Sequence, residues 1–447
     1  MVHKKFNLNL NTKIQPFKKN ITVDPDKSIS IRSFLIGSIS HNISSVKNVL
    51  ESEDVFSSIN CLKKLGIKIK KEASKKYHIY GKGLGSFYIK KNKELYFGNS
   101  GTLARLIIGI LSTTPNIVVK VKGDHSLNSR SMKKLIYLAN EFGAIFLPKN
   151  KYHFPLKLIS SKMASSIKYK SGLSAQLKSF VILAGLNSYG NTSIFENEKS
   201  RDHTENMLAH NKHAVKINKK KKIIKIIGKK YLKPIHITVP GDPSSAAFFT
   251  ALTLLNSNSS ILIRNVGLNP TRIGFYKLLK QQGAKIRFKN LRKNNNEIIG
   301  NIAVKSCKLR PIKASKKFYV NTTDEYPILF VIAALTKGIS IFNGIKELAN
   351  KESNRVTEMQ KVLKQIGIKS IFSKNQLKIY GKEMKDIKNK KINIANLGDH
   401  RICMSSFILA ILTGNKARIK NFETVFTSSP SFLKIMRTLG AKFEIQK

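Results

Sequence analysis

Tryptophan is absent from this sequence of 447 residues, and cysteine occurs only three times. Cys61, Cys307 and Cys403 stand far apart, so their spacing fits neither a disulfide framework nor a zinc site. The ten histidines include no HExxH motif, which removes the commonest zinc-enzyme signature. We therefore expect no metal and no disulfide in this protein.

Long apolar runs are also missing. The longest, Tyr326 to Leu335, is about half the length that a membrane-spanning helix needs. The first residues, MVHKKFNLNLNTK, contain no continuous apolar core of the kind found in secretory signals. These absences favour a cytoplasmic protein without a membrane partner, and we expect it to be a monomer.

Acidic residues are scarce, with 25 Asp and Glu against 81 Lys and Arg, a formal net charge of +56. Such an excess invites a nucleic-acid interpretation, because neutralising phosphates drives binding. The lysines, however, are spread along the whole chain, and aromatic residues do not interleave with them as a base-stacking surface requires. Nucleic acid is therefore not the expected partner, and the charge is better suited to steering small anions.

What the sequence does contain is a sixfold internal repeat. Six times a short polar loop leads into a strongly apolar helical segment, and the starts lie 70 to 81 residues apart. The six segments begin at Asp26, Gly98, Ser171, Gly241, Thr322 and Gly398. Because these segments are apolar nearly all round, we predict helices that are buried inside their own domains.

A second marker follows each buried helix by 40 to 45 residues. An amphipathic segment stops at a small-residue break and continues as an alternating strand, as in LKKLGIKI and KQQGAKI. The break is Gly66, Gly143, Gly283, Gly367 and Gly440, with His213 in the third copy. Glycine at this point predicts a left-handed helix cap. Each repeat is therefore interpreted as strand, buried helix, strand, surface helix and strand pair, and the six divide into two domains of three.

A selective set of charges lies in the loops of this repeat. Helix N-termini carry partial positive charge and bind anions, and several repeat loops add lysine or arginine. The cations are Lys27, Arg32, Arg130, Arg201, Lys351, Arg355 and Arg401, with the acidic residues Asp324 and Glu352 among them. This combination predicts a site for substrates with several phosphate or carboxylate groups, in which the two acids are candidates for proton transfer.

The ordered motifs resemble one family over nearly the whole chain, the 5-enolpyruvylshikimate-3-phosphate synthases. The sequences DEYPIL and SRDHTE are similar to those of the subgroup called class II. The motifs are SEDVFSSINCLKKLG, LYFGNSGTLARLI, SAQLKSFVILAGL, SRDHTENML, VPGDPSSAAFF, NPTRIG, DEYPILFVIAA, KESNR, DHR and TSSPSF. The resemblance implies an α/β (α+β) enolpyruvyl transferase fold. This fold has two domains, each of three βαβαββ repeats with pseudo-three-fold symmetry and buried helices. The implied domains are 24–240 and 1–23 plus 241–447, with the active site in the cleft between them.

The same resemblance implies an activity in the shikimate pathway to chorismate and aromatic amino acids. The enolpyruvyl (carboxyvinyl) group of phosphoenolpyruvate would pass to the 5-hydroxyl of shikimate 3-phosphate, with release of phosphate and without a cofactor. By motif match, the catalytic residues would be Asp324, Glu352 and Lys27. Shikimate 3-phosphate would be held by Lys27, Ser28, Arg32, Ser174, Gln176, Arg201, Asp324 and Lys351. Phosphoenolpyruvate would be held by Lys27, Gly101, Arg130, Gln176, Arg355 and Arg401.

Two alternatives stay open. A sister enolpyruvyl transferase acts on UDP-N-acetylglucosamine and typically carries a cysteine on the loop that here reads GDHSLNSR, where this chain has none. The other alternative is a non-catalytic protein of the same architecture that binds polyanions or nucleic acid. The chain also departs from the family pattern: Asp24 and Pro25 replace Pro-Gly before DKS, and Asn354 replaces Asp in KESDR.

Overall fold

The computed structural model describes residues 5–90, 93–387, 391–395 and 398–446. The chain divides into two compact units. The terminal unit comprises the described residues of Met1–Asp24, Pro240–Arg292 and Ile298–Lys447. The central unit comprises the described residues of Pro25–Val239 together with Lys293–Glu297. Each unit has its own hydrophobic core.

The chain opens with two strands of the terminal unit, β1 (Asn7–Leu10) and β2 (Lys18–Thr22). The first repeat of the central unit follows as α1 (Lys27–Ile39), β3 (His41–Lys47), α2 (Glu53–Lys64), β4 (Lys68–Ala73) and β5 (Lys76–Lys82). The second repeat is β6 (Glu94–Tyr96), α3 (Gly101–Thr113), β7 (Val118–Lys122), α4 (His125–Asn128), α5 (Lys133–Glu141), β8 (Ile145–Leu147) and β9 (Leu156–Ile159). The third is β10 (Lys168–Ser171), α6 (Ala175–Asn187), β11 (Asn191–Glu196), α7 (His203–Leu208), β12 (Val215–Asn218) and β13 (Ile223–Ile227), after which comes β14 (His236–Thr238).

The terminal unit resumes with α8 (Pro243–Leu255), β15 (Ser260–Gly267), α9 (Gly274–Gln281), β16 (Lys285–Asn294) and β17 (Glu297–Lys305). Its second repeat is β18 (Lys313–Ala314), α10 (Tyr319–Thr322), α11 (Tyr326–Ala334), β19 (Gly338–Asn343), α12 (Arg355–Gln365), β20 (Ser370–Ser373) and β21 (Gln376–Gly381). The last repeat is β22 (Ile392–Ile394), α13 (His400–Thr413), β23 (Ala417–Ile419), α14 (Phe432–Thr438) and β24 (Glu444–Gln446). Short 3₁₀ turns occupy Lys316–Phe318, Lys346–Asn350, Met384–Asp386 and Phe422–Thr427.

Each unit contains three four-stranded sheets of one common design. The orders are β14-β3-β5-β4, β6-β7-β9-β8 and β10-β11-β13-β12 in the central unit. They are β2-β15-β17-β16, β18-β19-β21-β20 and β22-β23-β1-β24 in the terminal unit. In every sheet the first two strands are parallel, as where Leu95 of β6 faces Val121 of β7. The predicted sixfold α/β repeat is confirmed.

Three strands come from distant parts of the chain. β14 pairs in parallel with β3, so that His236 faces Ser45, and thereby completes the sheet of the first repeat. β2 pairs in parallel with β15, and β1 lies antiparallel between β23 and β24. These pairings bring each of the three sheets to four strands, with β14 and β2 at sheet edges and β1 in an interior position.

The six apolar helices are buried, as the sequence predicts. All residues of α8 and α11 are buried, and α1, α3, α6 and α13 bury nearly their full length. The second helix of most repeats instead buries one stripe, exemplified by Val356, Met359, Val362 and Leu363 of α12. The short α7 is the exception and buries five of its six residues. None of the described helices is both long and apolar enough to cross a membrane.

The predicted left-handed caps are present. Gly66, Gly143, Gly283, Gly367 and Gly440 all have φ between 75° and 93°. A side chain would be strained there, which explains why glycine marks the end of these surface helices. The third repeat differs because its surface helix, α7, is short and ends at Leu208, before His213.

Candidate active site

Side chains cap the buried helices at the loops that the sequence singles out. Asp26, Ser100, Ser174, Asp242 and Asp399 each accept a hydrogen bond from a backbone N–H in the first turn of α1, α3, α6, α8 and α13. A single cap satisfies one of the four N–H groups that a helix start leaves without intrahelical partners. The remaining groups keep the partial positive charge that favours an anionic ligand nearby.

Lys27 is the first residue of α1 and forms an ion pair with a residue of the neighbouring helix. Its Nζ lies 2.9 Å from Oδ2 of Asp54, which belongs to the first turn of α2. The lysine side chain is 17% exposed. The ion pair with Asp54 therefore restrains the ammonium of Lys27 at the start of α1.

Arg32, one turn further along α1, is buried and joins three helices of the central unit. Its Nε donates to Oγ1 of Thr204 in α7 at 2.9 Å, and its Nη2 donates to Oγ of Ser179 in α6 at 3.2 Å. Its Nη1 donates to the carbonyl of Ser28 at 3.0 Å. Arg32 thus orders the start of α1, including Ser28.

Gly101 begins α3 between two guanidinium groups. A Cβ placed on Gly101 would lie 2.6 Å from Nη1 of Arg105 and 3.1 Å from Nη1 of Arg130. Arg130 donates from Nη2 to Asn99 and, at 3.1 Å, to Oγ of Ser126. Two neighbouring cations beside a helix start form a strongly positive region, which suits an anion such as a phosphate or carboxylate.

Ser174 and Gln176 lie at the start of α6. Ser174 is its N-cap, and Nε2 of Gln176 donates to Oγ1 of Thr102, the second residue of α3, at 2.9 Å. This bond brings the starts of α3 and α6 together. Gln176 and Gly101 are therefore close in space, as a shared ligand requires.

Arg201 precedes α7 in a loop that a buried lysine organises. Nζ of Lys178 lies 2.8 Å from Glu196 and 2.6 Å from Glu205, and it donates to the carbonyl of Ser200 at 3.4 Å. Burial alone would lower the pKa of Lys178, but the two carboxylates outweigh it and raise that pKa above its usual range. The ammonium therefore stays charged and holds the loop that carries Arg201.

In the terminal unit, Arg355 gathers three carboxylates. This guanidinium is fully buried at the first residue of α12. Its Nη2 lies 2.6 Å from Oε2 of Glu352, and its Nη1 lies 3.7 Å from Oδ1 of Asp324. Its Nε donates to Oδ2 of Asp399 at 3.0 Å. The structure thus places both predicted proton-transfer residues around one cation.

The three carboxylates differ in their access to solvent. Asp324 and Glu352 are 25% and 20% exposed, whereas Asp399 is completely buried. Asp399 also accepts from Oγ of Ser353 and from the backbone N–H of Arg401. Asp399 is therefore enclosed within the cluster, whereas Asp324 and Glu352 keep part of their side-chain surface open to solvent.

The charge of Arg355 is secure. Burial disfavours its charged form, but the carboxylates of Asp399, Glu352 and Asp324 more than compensate and raise the pKa of this guanidinium above its usual range. Within the described residues, its Nη1 makes no hydrogen bond. Its approach to Asp324, at 3.7 Å, is therefore an ion pair without a hydrogen bond.

Arg401, the second residue of α13, is a buried cation with donors to spare. Its guanidinium lies over the ring of Phe248, 5.8 Å from the centroid. Its Nε and Nη1 have no hydrogen-bond acceptor among the residues that the structure describes. A buried guanidinium whose N–H groups lack acceptors is costly unless a ligand supplies them.

Lys351 lies between the 3₁₀ turn and α12, next to Glu352, and is half-buried.

No group of three or more His, Cys, Asp or Glu side chains in the described ranges could hold a metal ion. The candidate site is thus built from cations, hydroxyls and two accessible carboxylates.

Comparison with known proteins shows the family of this chain. The family model described as EPSP synthase (3-phosphoshikimate 1-carboxyvinyltransferase) matches residues 11–436. The chain belongs to the EPSP synthase family. The 3-phosphoshikimate 1-carboxyvinyltransferase of Zymomonas mobilis is 36% identical over 98% of this chain and 97% of its own. That of Petrotoga mobilis is 37% identical over 96% and 98%.

Solved structures agree with this family. The EPSP synthase of Acinetobacter baumannii superposes with a TM-score of 0.85 at 32% identity, over 99% of this chain and 100% of that one. The enolpyruvyl transferase NikO of Streptomyces tendae has a TM-score of 0.74 at 11% identity, over 99% and 98%. The second likeness concerns the fold alone. The predicted enolpyruvyl transferase fold is confirmed.

The structure brings the predicted EPSP synthase residues together within each unit. Asp324, Glu352 and Arg355 form one cluster in the terminal unit. In the central unit, Arg32 of α1 contacts Ser179 of α6, and Gln176 at the start of α6 contacts Thr102 at the start of α3. That the two sets serve one cleft stays a prediction of the sequence.

Sequence reasoning missed four residues that these contacts reveal, namely Asp54, Arg105, Lys178 and Asp399. All four lie inside motifs that carry the family resemblance. A charged residue within an otherwise apolar segment, as Lys178 is in α6, was the available signal. By contrast, the Asn354 departure is accommodated, because its Oδ1 accepts from the N–H of Thr357 at 3.2 Å and caps α12.

Proposed function

We propose that this chain transfers the enolpyruvyl group of phosphoenolpyruvate to the 5-hydroxyl of shikimate 3-phosphate and releases phosphate. The observation that carries the proposal is the cluster of Asp324 and Glu352 around the buried guanidinium of Arg355. Family membership supplies the reaction, and the cluster supplies the groups that the reaction needs. Two accessible carboxylates can move protons, while a cation beside them attracts an anionic substrate.

The proposed chemistry is an addition followed by an elimination. Asp324 accepts the proton of the attacking 5-hydroxyl, while Glu352 in its acid form gives a proton to the methylene carbon of phosphoenolpyruvate. The tetrahedral adduct then loses a methyl proton to Glu352 and phosphate departs, with Lys27 assisting the leaving oxygen. Glu352 is thereby returned to its acid form, and the proton that Asp324 took from the hydroxyl passes to the departing phosphate, which leaves as hydrogen phosphate.

The cations offset the repulsion between the two anionic substrates of this reaction. Two like charges about 4 Å apart repel by about 1 kcal/mol even in water, and by more in a desolvated site. Arg401 is buried with two nitrogens that make no hydrogen bond to the described residues, and Arg130 lies beside Gly101. These groups support the assignment of Arg130, Arg401 and Arg355 to phosphoenolpyruvate, with Gly101, Gln176 and Lys27 beside them.

Shikimate 3-phosphate is assigned to a second set of groups. They are Lys27, Ser28, Arg32, Ser174, Gln176, Arg201, Asp324 and Lys351. Within this set, Arg32 orders Ser28, and Lys178 orders the loop of Arg201, so the ligand would meet groups that are already positioned. Lys27 and Gln176 would contact both substrates.

Phosphate release tests the function directly. The purified protein is incubated with phosphoenolpyruvate and shikimate 3-phosphate, and free phosphate is measured over time. UDP-N-acetylglucosamine replaces the shikimate compound in a parallel reaction, and binding of single-stranded DNA is measured separately. Release with shikimate 3-phosphate alone supports the proposal. Release with the UDP-sugar alone, or DNA binding without turnover, would overturn it.

We further propose a cytoplasmic monomer that works without a cofactor. Multi-angle light scattering on the eluted protein measures the mass, for which one chain corresponds to 50.2 kDa. A stable dimer would contradict the monomer. Loss of turnover after dialysis against a chelator would contradict the absence of a metal requirement.

A further inference from the structure

We propose that Asp24 is a positioning residue that anchors the chain just ahead of Lys27. Asp24 is the last residue of the first segment of the terminal unit, and Pro25 is the first residue of the central unit. Lys27 follows only two residues later and begins α1. The bonds of Asp24 therefore act on the chain only three residues before Lys27, whose ammonium is also held by Asp54.

The carboxylate of Asp24 is buried and bonded to a distant loop of its own unit. Its Oδ2 accepts from Oγ of Ser429 at 3.0 Å and from the backbone N–H of Ser431 at 2.9 Å. Asp24 as a whole residue is only 3% exposed, so water does not compete for these hydrogen bonds. Charged acceptors in such surroundings form the stronger class of hydrogen bond.

The backbone of Asp24 is fixed as well. Its carbonyl accepts from the N–H of Asp242 at 2.8 Å. Asp242 lies just after Pro240, where the chain re-enters the terminal unit. One residue thus joins three separate segments of the terminal unit at the point where the chain leaves it.

The two residues that follow transmit this anchoring. Proline fixes its own φ near −65° and restricts the preceding residue to extended conformations. Asp26 then caps α1 with φ −62° and accepts from the N–H of Ile29 at 2.9 Å. The two residues that flank Pro25 are thus both held by hydrogen bonds immediately before Lys27.

This inference rests on the proposed function, because Lys27 matters here as a substrate ligand. If Asp24 acts through Lys27, Asp24→Ala should lower kcat/KM by about tenfold to a hundredfold, the range expected for a small misplacement of a reacting group. KM should rise for both substrates, since Lys27 is assigned to both. Asp24→Asn keeps an oxygen for the N–H of Ser431 and should restore much of the loss.

A matched control separates positioning from general stability. Glu423 is another carboxylate of the terminal unit that accepts a backbone N–H, that of Phe6, at 3.1 Å. Glu423→Ala removes a comparable bond between the N-terminal segment and the C-terminal region, far along the chain from Lys27. It should lower the melting temperature while leaving both KM values within about twofold of the parent protein.

The decisive experiment is a double-mutant cycle read out by binding. Dissociation constants for shikimate 3-phosphate are measured for the parent protein, Asp24→Ala, Lys27→Ala and the double variant. Coupling, in which Asp24→Ala weakens binding in the parent but not in the Lys27→Ala background, supports the proposal. Equal and additive losses would overturn it, as would kinetic effects of Asp24→Ala no larger than those of Glu423→Ala.

Two further measurements keep the outcomes distinct. If Asp24→Ala does not fold, Ser429→Ala removes one of the two bonds to the carboxylate and should show a smaller change of the same kind; unchanged binding would then count against the anchor. If the parent protein binds shikimate 3-phosphate but releases no phosphate, the proposed function fails, whereas the binding cycle still decides the role of Asp24.

Discussion

Replacing Glu352 with glutamine isolates proton transfer from every other duty of this residue. Oε2 of Glu352 lies 2.6 Å from Nη2 of Arg355. Glutamine has the same length and keeps an oxygen that can accept from that nitrogen. The geometry around Arg355 should therefore persist, while the side chain can no longer donate or accept a proton at the reacting carbon.

The expected loss of turnover follows from the acid–base role assigned to Glu352. General acid–base catalysis contributes about 10² to 10⁴ in rate, so kcat for Glu352→Gln should fall by about a thousandfold. This loss corresponds to about 4 kcal/mol in activation free energy. Binding of shikimate 3-phosphate should change by less than about tenfold, or ~1.4 kcal/mol, because its assigned ligands are untouched.

Glu358→Gln is the matched control for this variant. Glu358 belongs to the same helix, α12, but pairs with Lys361 at 2.8 Å on the protein surface. Steady-state phosphate release and a binding isotherm for shikimate 3-phosphate are measured for both variants. Near-normal turnover in Glu352→Gln, or an equal loss in Glu358→Gln, would refute the assignment of Glu352 as the acid.

Three other outcomes are expected. Asp54→Asn should lower kcat/KM by about tenfold or more, because Lys27 at the start of α1 loses its ion-pair partner. Glu53→Gln, in the same helical turn, should change kcat/KM by less than about twofold. Equal losses in the two variants would contradict this reasoning. Asp399→Ala should lower the free energy of unfolding by about 4 kcal/mol, because a buried guanidinium loses its carboxylate and α13 loses its cap. Urea unfolding measures this change, and a loss below about 1 kcal/mol would contradict it. Burial raises the pKa of Cys61 to about 12 and also raises the pKa of Cys403, so both thiols should resist iodoacetamide at pH 8 until the protein unfolds. In the unfolded chain these thiols ionise near pH 8.5, whereas in the folded protein they stay protonated. Above about pH 8.5 the unfolded state therefore binds fewer protons than the folded state, and the free energy of unfolding should fall as pH rises. Mass spectrometry after labelling would expose a fast-reacting native Cys61 or Cys403 as a failure of this prediction.

Much of the fold could be predicted because each repeat is marked by short-range sequence patterns. The apolar helices α8 and α11 are recognisable as buried from their composition alone, and the structure buries every residue of both. Gly66 and Gly440 likewise mark helix ends because glycine takes a positive φ at no steric cost. Such signals survive in the sequence, since each depends on neighbours a few residues away.

The candidate site could be predicted only in part. Motif resemblance identified Asp324, Glu352 and Arg355, but it gave no sign that Asp399 would share the same guanidinium, 44 residues further along the chain. The pairing of Lys27 with Asp54 was also unforeseen. Side chains that meet across helices leave no periodic trace, so charge partners cannot be assigned from spacing alone.

The sequence by itself determined the sixfold α/β repeat, which helices are buried and which family the chain belongs to. These follow from hydrophobic periodicity, glycine placement and ordered motifs, all of which are local. Only the tertiary structure decided that β14, β2 and β1 complete sheets formed by residues far along the chain. It also decided which carboxylate neutralises which cation. Both choices depend on the path of the whole chain, because strand edges and buried charges are satisfied by whatever partner the fold brings within hydrogen-bonding distance.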